Sequence, residues 1–311
     1  MKTNKQHVHQ IKMEKGMKVS ELVEEMKKCG VMGSGRIARA SDIMQEMIED
    51  KNCTVFMGVA GAMVPGGMKN IIIDLLENNS INVFVTTGAT LTHDIAEALG
   101  YSHIQGTSNV DDKILFKQGL DRMYDSYMQN EVYGGMEDFF KKIFEEIPDE
   151  LNIREFLREV GKRIPKENKS ILGTCYEKNI PLFCPALADS GIGLMILGHL
   201  AKGKKIRIDA MEDMKEMLKI AWDSKKAGVI YIGGGVPKNF IQQAMQFSPK
   251  SAEYGVQITT DRPEYGGSSG AELREGISWG KMSSQGKFVD VYCDATIALP
   301  IICAVLKDKL E

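Results

Sequence analysis

The chain has 311 residues, 43% of them hydrophobic, enough to bury a large core as one α/β domain over residues 1–311. A net charge of −3 gives no basic field for nucleic acid or an anionic membrane, no apolar run approaches the roughly 18 residues of a membrane span, and the polar start lacks a signal-peptide core. A cytoplasmic protein is predicted, its partners small molecules or other proteins; the six cysteines form no CxxC pair and no HExxH motif occurs, so no metal or redox site is indicated and the thiols are expected reduced and buried.

In chain order, residues 1–50 read as a helical N-terminal segment. Within it Gly33-Ser-Gly35-Arg-Ile-Ala38 matches the dinucleotide fingerprint G-x-G-x-x-A, but it follows the helical-looking SELVEEMKKCG instead of a strand, so it is read as a helix stop and restart. From residue 53, apolar β-branched runs at 53–58, 82–86, 181–184, 228–232, 254–259 and 289–293 predict strands. Helices are expected at 67–78, at 210–226 behind a capping Asp209, and at 237–246 with Pro237 in the first helical position. This alternation predicts a doubly wound, mostly parallel, Rossmann-like sheet. The charged stretch 100–170, with helical segments near 136–147 and 151–163 and no clear strand, predicts a mainly helical insertion.

In such sheets ligands bind beyond the carboxyl ends of the strands. Four turns there are small or glycine-rich: 58–62, 86–89, 233–235, and 185–189 ending on Asp189. Missing side chains let backbone N–H groups approach a phosphate, although any single short turn also favours glycine for geometry alone. A different kind of signal is the loop YGGSSGAELREGISWGK, residues 265–281. A desolvated lysine, or one beside another cation, becomes an amine nucleophile; Trp279 offers an apolar wall and Glu275 a carboxylate for a cationic substrate. By itself, a lone lysine beside a tryptophan is usually a solvated surface lysine.

The block Ser278-Trp279-Gly280-Lys281, after Gly270-Ala271 and before Val291-Tyr292-Cys293-Asp294-Ala295, resembles the active-site block of deoxyhypusine synthases. The resemblance extends through GRIARASDIMQEMI, VFMGVAGAMVPGGMKNIIIDLL, VFVTTGATLTHDI, CPALADSGIG, YIGGGVPKNF and ALPIICAVL in order. It implies that Lys281 is the catalytic lysine. It also implies an NAD site at Gly61, Ala62, Met63, Val64, Pro65, Thr87, Gly88, Ala89, Asp189, Thr260, Asp261, Asp294 and Ala295. Gly234, Asn239, Gly266, Ser268, Ser269, Glu275 and Trp279 fall in the implied polyamine site.

The chemistry implied is oxidation of spermidine by NAD, attack of Lys281 on the resulting imine, loss of diaminopropane, transfer of the aminobutyl group to an acceptor amine, and reduction of the new imine by the retained NADH. That acceptor is a lysine of translation initiation factor 5A, or a free diamine such as putrescine, as in a homospermidine synthase. A third reading is a non-catalytic NAD-binding regulatory subunit, against which the presence of Lys281 argues. Family members assemble as homotetramers with sites between subunits. The well-known eukaryotic pattern has acids at the positions of His93, Leu194 and Ser268, and histidine at Asn239; TTGATLTHD and GVAGAMVPGG instead resemble a deoxyhypusine synthase-like branch of archaea and bacteria. His93 is read as a catalytic proton carrier, with a reference pKa of about 6.5, or as a residue opening a helix after Thr92 and bonding locally.

Overall fold

The computed structural model describes residues 6–310. Among the described residues the first helix starts at residue 19, residues 6–18 of the expected helical segment being non-helical: α1 (Val19–Cys29) stops on Gly30, whose φ of 72° no side-chain-bearing residue adopts cheaply and whose N–H returns to Met26 O. Its successor α2 (Met32–Glu49) takes in the whole GSGRIA segment. A Cβ on Gly35 would lie 2.4 Å from the Gly30 carbonyl carbon, so this glycine serves helix packing; the expected stop and restart falls at Gly30, just before the segment, and not within it.

The chain then runs β1 (Cys53–Val59), α3 (Lys69–Glu77), β2 (Val83–Thr86) and α4 (Gly88–Ala98). Next come β3 (Ile104–Gln105), α5 (Asp112–Lys117), β4 (Leu120–Met123), β5 (Ser126–Gln129), α6 (Glu131–Phe144), β6 (Glu150–Asn152), α7 (Ile153–Lys162) and α8 (Ile171–Glu177). The chain finishes with β7 (Leu182–Phe183), α9 (Gly191–Ala201), β8 (Arg207–Asp209), α10 (Ala210–Asp223), β9 (Lys226–Ile232), α11 (Gly235–Phe247), β10 (Ala252–Thr259), β11 (Met282–Tyr292) and α12 (Ala295–Leu310).

Among the described residues the main sheet has six strands in the order β11-β10-β9-β1-β2-β7, all paired in parallel. Alternation along β1 explains the two-sided core: Val55, Met57 and Val59 pack with α2, α3 and α12, while Phe56 packs with α10 and α11. Asp209 caps α10 as predicted, accepting from Met211 N at 2.7 Å. Pro237 is not, as expected, the first residue of its helix but the third of α11, still within the first turn, where its missing N–H has no intrahelical partner to lose.

Two expectations need correction. The segment 100–170 is not strand-free: β3, β5 and β4 form a small antiparallel sheet, and β6 pairs with β8. Strands of two to four residues, mostly half-buried or exposed, carry no period for a sequence to display. The thiols are free, but only Cys175 and Cys184 are buried, the other four being half-buried. Among the described residues no helix is long and apolar enough to cross a membrane.

From β1 the chain moves outward to β2 and β7, then returns to build β9, β10 and β11 on the other side. The order of strands therefore reverses between β1 and β9. A ligand crevice opens at such a switch point, beyond the carboxyl ends.

Candidate active site

A cavity of about 290 Å³ occupies that crevice. Gly61, Met63, Gly234, Thr260, Asp261, Ser269, Asp294 and Ala295 line it, drawing on the turns after β1, β9, β10 and β11. Ala60 N bonds Ile232 O at 2.9 Å and Gly233 N bonds Ile258 O at 2.8 Å, so the first residue of each turn still extends the sheet. Gly61 and Gly233 then turn away with φ of 86° and 69°. A Cβ on Gly234 would stand 2.3 Å from the Ser269 Cα. The 260–281 loop thus lies directly on the glycine turn.

Next along the same edge, Thr87 caps α4 by accepting from Thr90 N at 3.2 Å, and Ser190 caps α9 by accepting from Gly193 N at 3.2 Å. These two helix starts touch: a Cβ on Gly88 would meet the Ser190 Cβ at 2.4 Å. Thr87, Gly88 and Ala89 are thereby brought beside exposed Asp189. Val64 is buried and Pro65 half-buried in the turn before α3, and Ala62 is exposed there. Asp294 has a second task, since its Oδ1 accepts from Thr296 N at 2.7 Å and from the Thr296 hydroxyl at 2.6 Å at the start of α12.

Lys281, Trp279 and Glu275 form a separate group that does not line this cavity. Lys281 immediately precedes β11, its N–H bonded to Gly276 O at 2.8 Å and its carbonyl accepting from Ala252 N at 3.0 Å. The Lys281 Nζ lies 4.8 Å from the centroid of the Trp279 ring, a cation–π contact on an indole that is 55% exposed. Glu275 is exposed on the short 3-10 turn Leu273–Ile277. Asn239 and Ser268 line a second cavity, of about 490 Å³, with Pro185 and Val236, while Gly266 sits exposed at the tip of the loop with φ of 72°.

Beneath the loop lies a residue that the sequence reading passed over. Lys238, on α11, is only 1% exposed, and its Nζ donates to the carbonyls of Ser268 and Ala271, both at 2.6 Å. Gln257 Nε2 adds bonds to Ala271 O and Asp290 Oδ1 at 3.1 Å, and Leu273 N donates to the same Asp290 oxygen. Burial lowers the Lys238 pKa to about 8, with Asp290 and Glu275 pulling it up and Lys281 pushing it down. One buried ammonium thus holds the loop that carries both Ser269 and Trp279. The available signal was a lysine set among apolar positions of VPKNFIQQAM, directly after three glycines.

A family model described as deoxyhypusine synthase matches residues 21–306, an interval that includes every residue of both groups. The chain is 44% identical over 296 residues to the probable deoxyhypusine synthase 1 of Methanosarcina acetivorans, covering 95% of this chain and 92% of that one. It is 43% identical to the probable deoxyhypusine synthase 2 of Archaeoglobus fulgidus, covering 89% and 94%. This chain belongs to the deoxyhypusine synthase family. A solved structure of a candidate deoxyhypusine synthase from Entamoeba histolytica superimposes with a TM-score of 0.63 at 20% identity, covering 94% of this chain and 93% of that one, a likeness of fold.

Against the eukaryotic deoxyhypusine synthase pattern, the departures fall at informative places. Leu194, on α9, is 56% exposed and shares that helix with exposed Leu197 and Leu200. His93 does not open the helix and bond locally, as one of the two expectations had it. It is the sixth residue of α4 and bonds to a residue ten positions on, its Nδ1 lying 2.9 Å from His103 Nε2. Burial, followed by the charge of His103, lowers its pKa to about 4 against the opposing pull of Glu97. The imidazole is therefore neutral at physiological pH, and a titration near 6.5 is not expected of it.

Proposed function

We propose that this chain is an NAD-dependent aminobutyl transferase that uses spermidine, with Lys281 as its nucleophile. The observation that carries the reading is Lys281 in the Ser-Trp-Gly-Lys block, its ammonium packed on Trp279, in a chain matched by the family model across residues 21–306. The residues at the switch point suit a dinucleotide. Glycine turns without side chains lie under the Ser269 loop, helix starts at Thr87 and Ser190 favour phosphate, and Asp189, Asp261 and Asp294 offer acceptors for ribose hydroxyls.

NAD, when bound, supplies a hydride acceptor and afterwards a hydride donor. Gly61 to Pro65, Thr87 to Ala89, Thr260 and Ala295 would shape its pocket. Glu275, Asn239, Gly266, Ser268, Ser269 and Gly234 would place the polyamine, with the Trp279 ring covering its apolar carbons. His93 accepts the proton that the secondary ammonium must release before oxidation. Lys281, which must first give up its ammonium proton, then adds to the C=N carbon, diaminopropane departs with a proton, and the aminobutyl group passes from the Lys281 imine to the acceptor amine, whose new imine regains a hydride to give the amine product. Imines hydrolyse in water, while Trp279 and Leu194 are exposed in the single chain, which supports assembly of the site between subunits of a homotetramer.

Translation initiation factor 5A is the proposed acceptor. Leu194 and Ser268, in place of acids, favour the second reading, in which a free diamine such as putrescine accepts the group. Purified protein with NAD and labelled spermidine should label the factor; label appearing only in homospermidine would select the second reading. Neither product, with no NADH formed, would reject both and favour a regulatory subunit.

Two further results are expected. NAD should raise the melting temperature in a concentration-dependent way, and Asp294→Asn, which keeps an oxygen to cap α12, should weaken that response. Equal shifts for the two proteins would remove Asp294 from the cofactor site. His93→Ala should slow single-turnover NADH formation about 10²-fold or more, within the range for general base catalysis. Because His93 titrates at about 4, it should put no break of its own in the pH–rate profile between 6 and 9. An unchanged rate would leave His93 a packing residue.

A further inference from the structure

His93 is one end of a chain of polar side chains that runs away from the candidate site. Its Nδ1 lies 2.9 Å from His103 Nε2, and His103 Nδ1 lies 2.8 Å from Glu97 Oε1. Lys69, on α3, pairs with the other Glu97 oxygen. These groups are largely shielded, the His103, Lys69 and Glu97 side chains being 7%, 15% and 22% exposed. Asp94 is turned elsewhere, accepting from the N–H groups of Ile171 and Leu172 at the start of α8. His93 follows Ala89 by four residues and shares its face of α4, while Gly88 and Thr92 are packed on Ser190 and Gly191 at the start of α9.

Donor and acceptor counting fixes the protons. A carboxylate only accepts, so His103 Nδ1 must donate to Glu97. With that one N–H spent on Glu97, whose other oxygen Lys69 holds, His103 is left to accept at Nε2. His93 must then donate through Nδ1. Its Nε2 is left with a free lone pair and has no partner among the described residues.

We propose that Lys69, Glu97 and His103 are positioning residues that hold His93 in its Nδ1–H tautomer, and that His103 takes up the positive charge when His93 Nε2 accepts a proton from the substrate amine. The inference rests on the reading of His93 as the group that meets the polyamine. In the step, the ammonium N–H bond breaks and an N–H bond forms at His93 Nε2. The Nδ1 proton of His93 moves to His103 Nε2, and His103 keeps its own Nδ1 proton toward Glu97. One proton enters, His93 ends neutral, and an imidazolium stands between His93 and the carboxylate. The reverse movement returns the proton to the departing diamine.

The relay resolves a difficulty at this site. A buried histidine with a pKa of about 4 is a poor base alone, yet here the charge need not remain on it. It comes to rest beside Glu97, which hydrogen bonds from His103 and Lys69 hold below the usual carboxylate range despite burial.

Nitrogen-15 spectra of histidine-labelled protein at pH 7.5, without NAD or polyamine, should show His93 protonated at Nδ1 and bare at Nε2. His103→Phe should release that tautomer. In single turnovers with NAD and spermidine, His103→Phe and Glu97→Gln should each form NADH about 10-fold more slowly or worse, with an altered pH profile and the NAD-induced melting shift retained. Glu97→Gln keeps size and polarity should His103→Phe fold poorly. A His93 ring found protonated at Nε2 in the unaltered protein overturns the relay, as do variants with unchanged rate and pH profile. The spectra do not depend on turnover: the expected tautomer in a protein that never oxidises spermidine supports the relay's proton arrangement and rejects the polyamine reading instead.

Discussion

Lys281→Arg is expected to abolish covalent trapping of the aminobutyl group. Arginine keeps a cation above the Trp279 ring, where the lysine Nζ now lies 4.8 Å from the centroid, and it keeps a like charge near Lys238. What it lacks is a lone pair, because a guanidinium does not deprotonate in proteins and so forms no imine. With NAD, spermidine and borohydride, the unaltered protein should gain one aminobutyl adduct at Lys281 by peptide mass mapping. The variant should gain none while retaining its NAD-induced melting shift. The informative failure is an adduct on Lys238, the neighbouring amine whose pKa burial lowers to about 8. Its Nζ is already committed to two carbonyls at 2.6 Å, so labelling there would require the loop to lift off and would overturn the assignment of Lys281.

How much of this could be read from the sequence depends on which interactions leave a period. The strands β1, β2, β9 and β10 are buried along most of their length, so their β-branched runs announce them and the switch point follows from their order. Only the last part of β11 is legible, near 289–293, because the residues SSQGK that follow Met282 are exposed or half-buried and polar. The gathering of Gly61, Gly234, Asp261 and Asp294 into one crevice follows from parallel strands ending on one edge. The contacts of His93 with His103, and of Lys238 with Ser268 and Ala271, cross ten to thirty-three residues, each from a helix to an irregular segment. Such contacts have no periodic trace. Position alone suggested a titration of His93 near 6.5, and burial beside a second imidazole removes it.

Lys238→Met is expected to loosen the loop and to change how stability depends on pH. Methionine fills a similar volume but donates nothing, so the Ser268 carbonyl loses the Lys238 bond and the Ala271 carbonyl keeps only Gln257. Bonds from a charged donor are worth about 1.5–3 kcal/mol each, and an unpaired buried carbonyl about 1–3 kcal/mol, against which removal of a buried charge is a partial gain. A net loss on the order of 2–4 kcal/mol is expected at neutral pH. The sign with pH follows from the lowered pKa. Lys238 titrates at about 8 in the folded protein, and at about 10.5 when unfolded, so between these values the unfolded chain binds more protons. Stability contributed by this residue must therefore rise from about pH 8 to about pH 10.5, and the neutral amine still has two hydrogens for the two carbonyls. Cysteines and tyrosines also titrate in that range, which makes the difference between the two proteins the quantity to measure. Denaturant midpoints at pH 7, 8.5 and 10 should show the unaltered protein gaining on the variant as pH rises. Curves that stay parallel would mean that the Lys238 amine titrates as freely in the folded protein as in water, and that the loop over the glycine turn is held by something else.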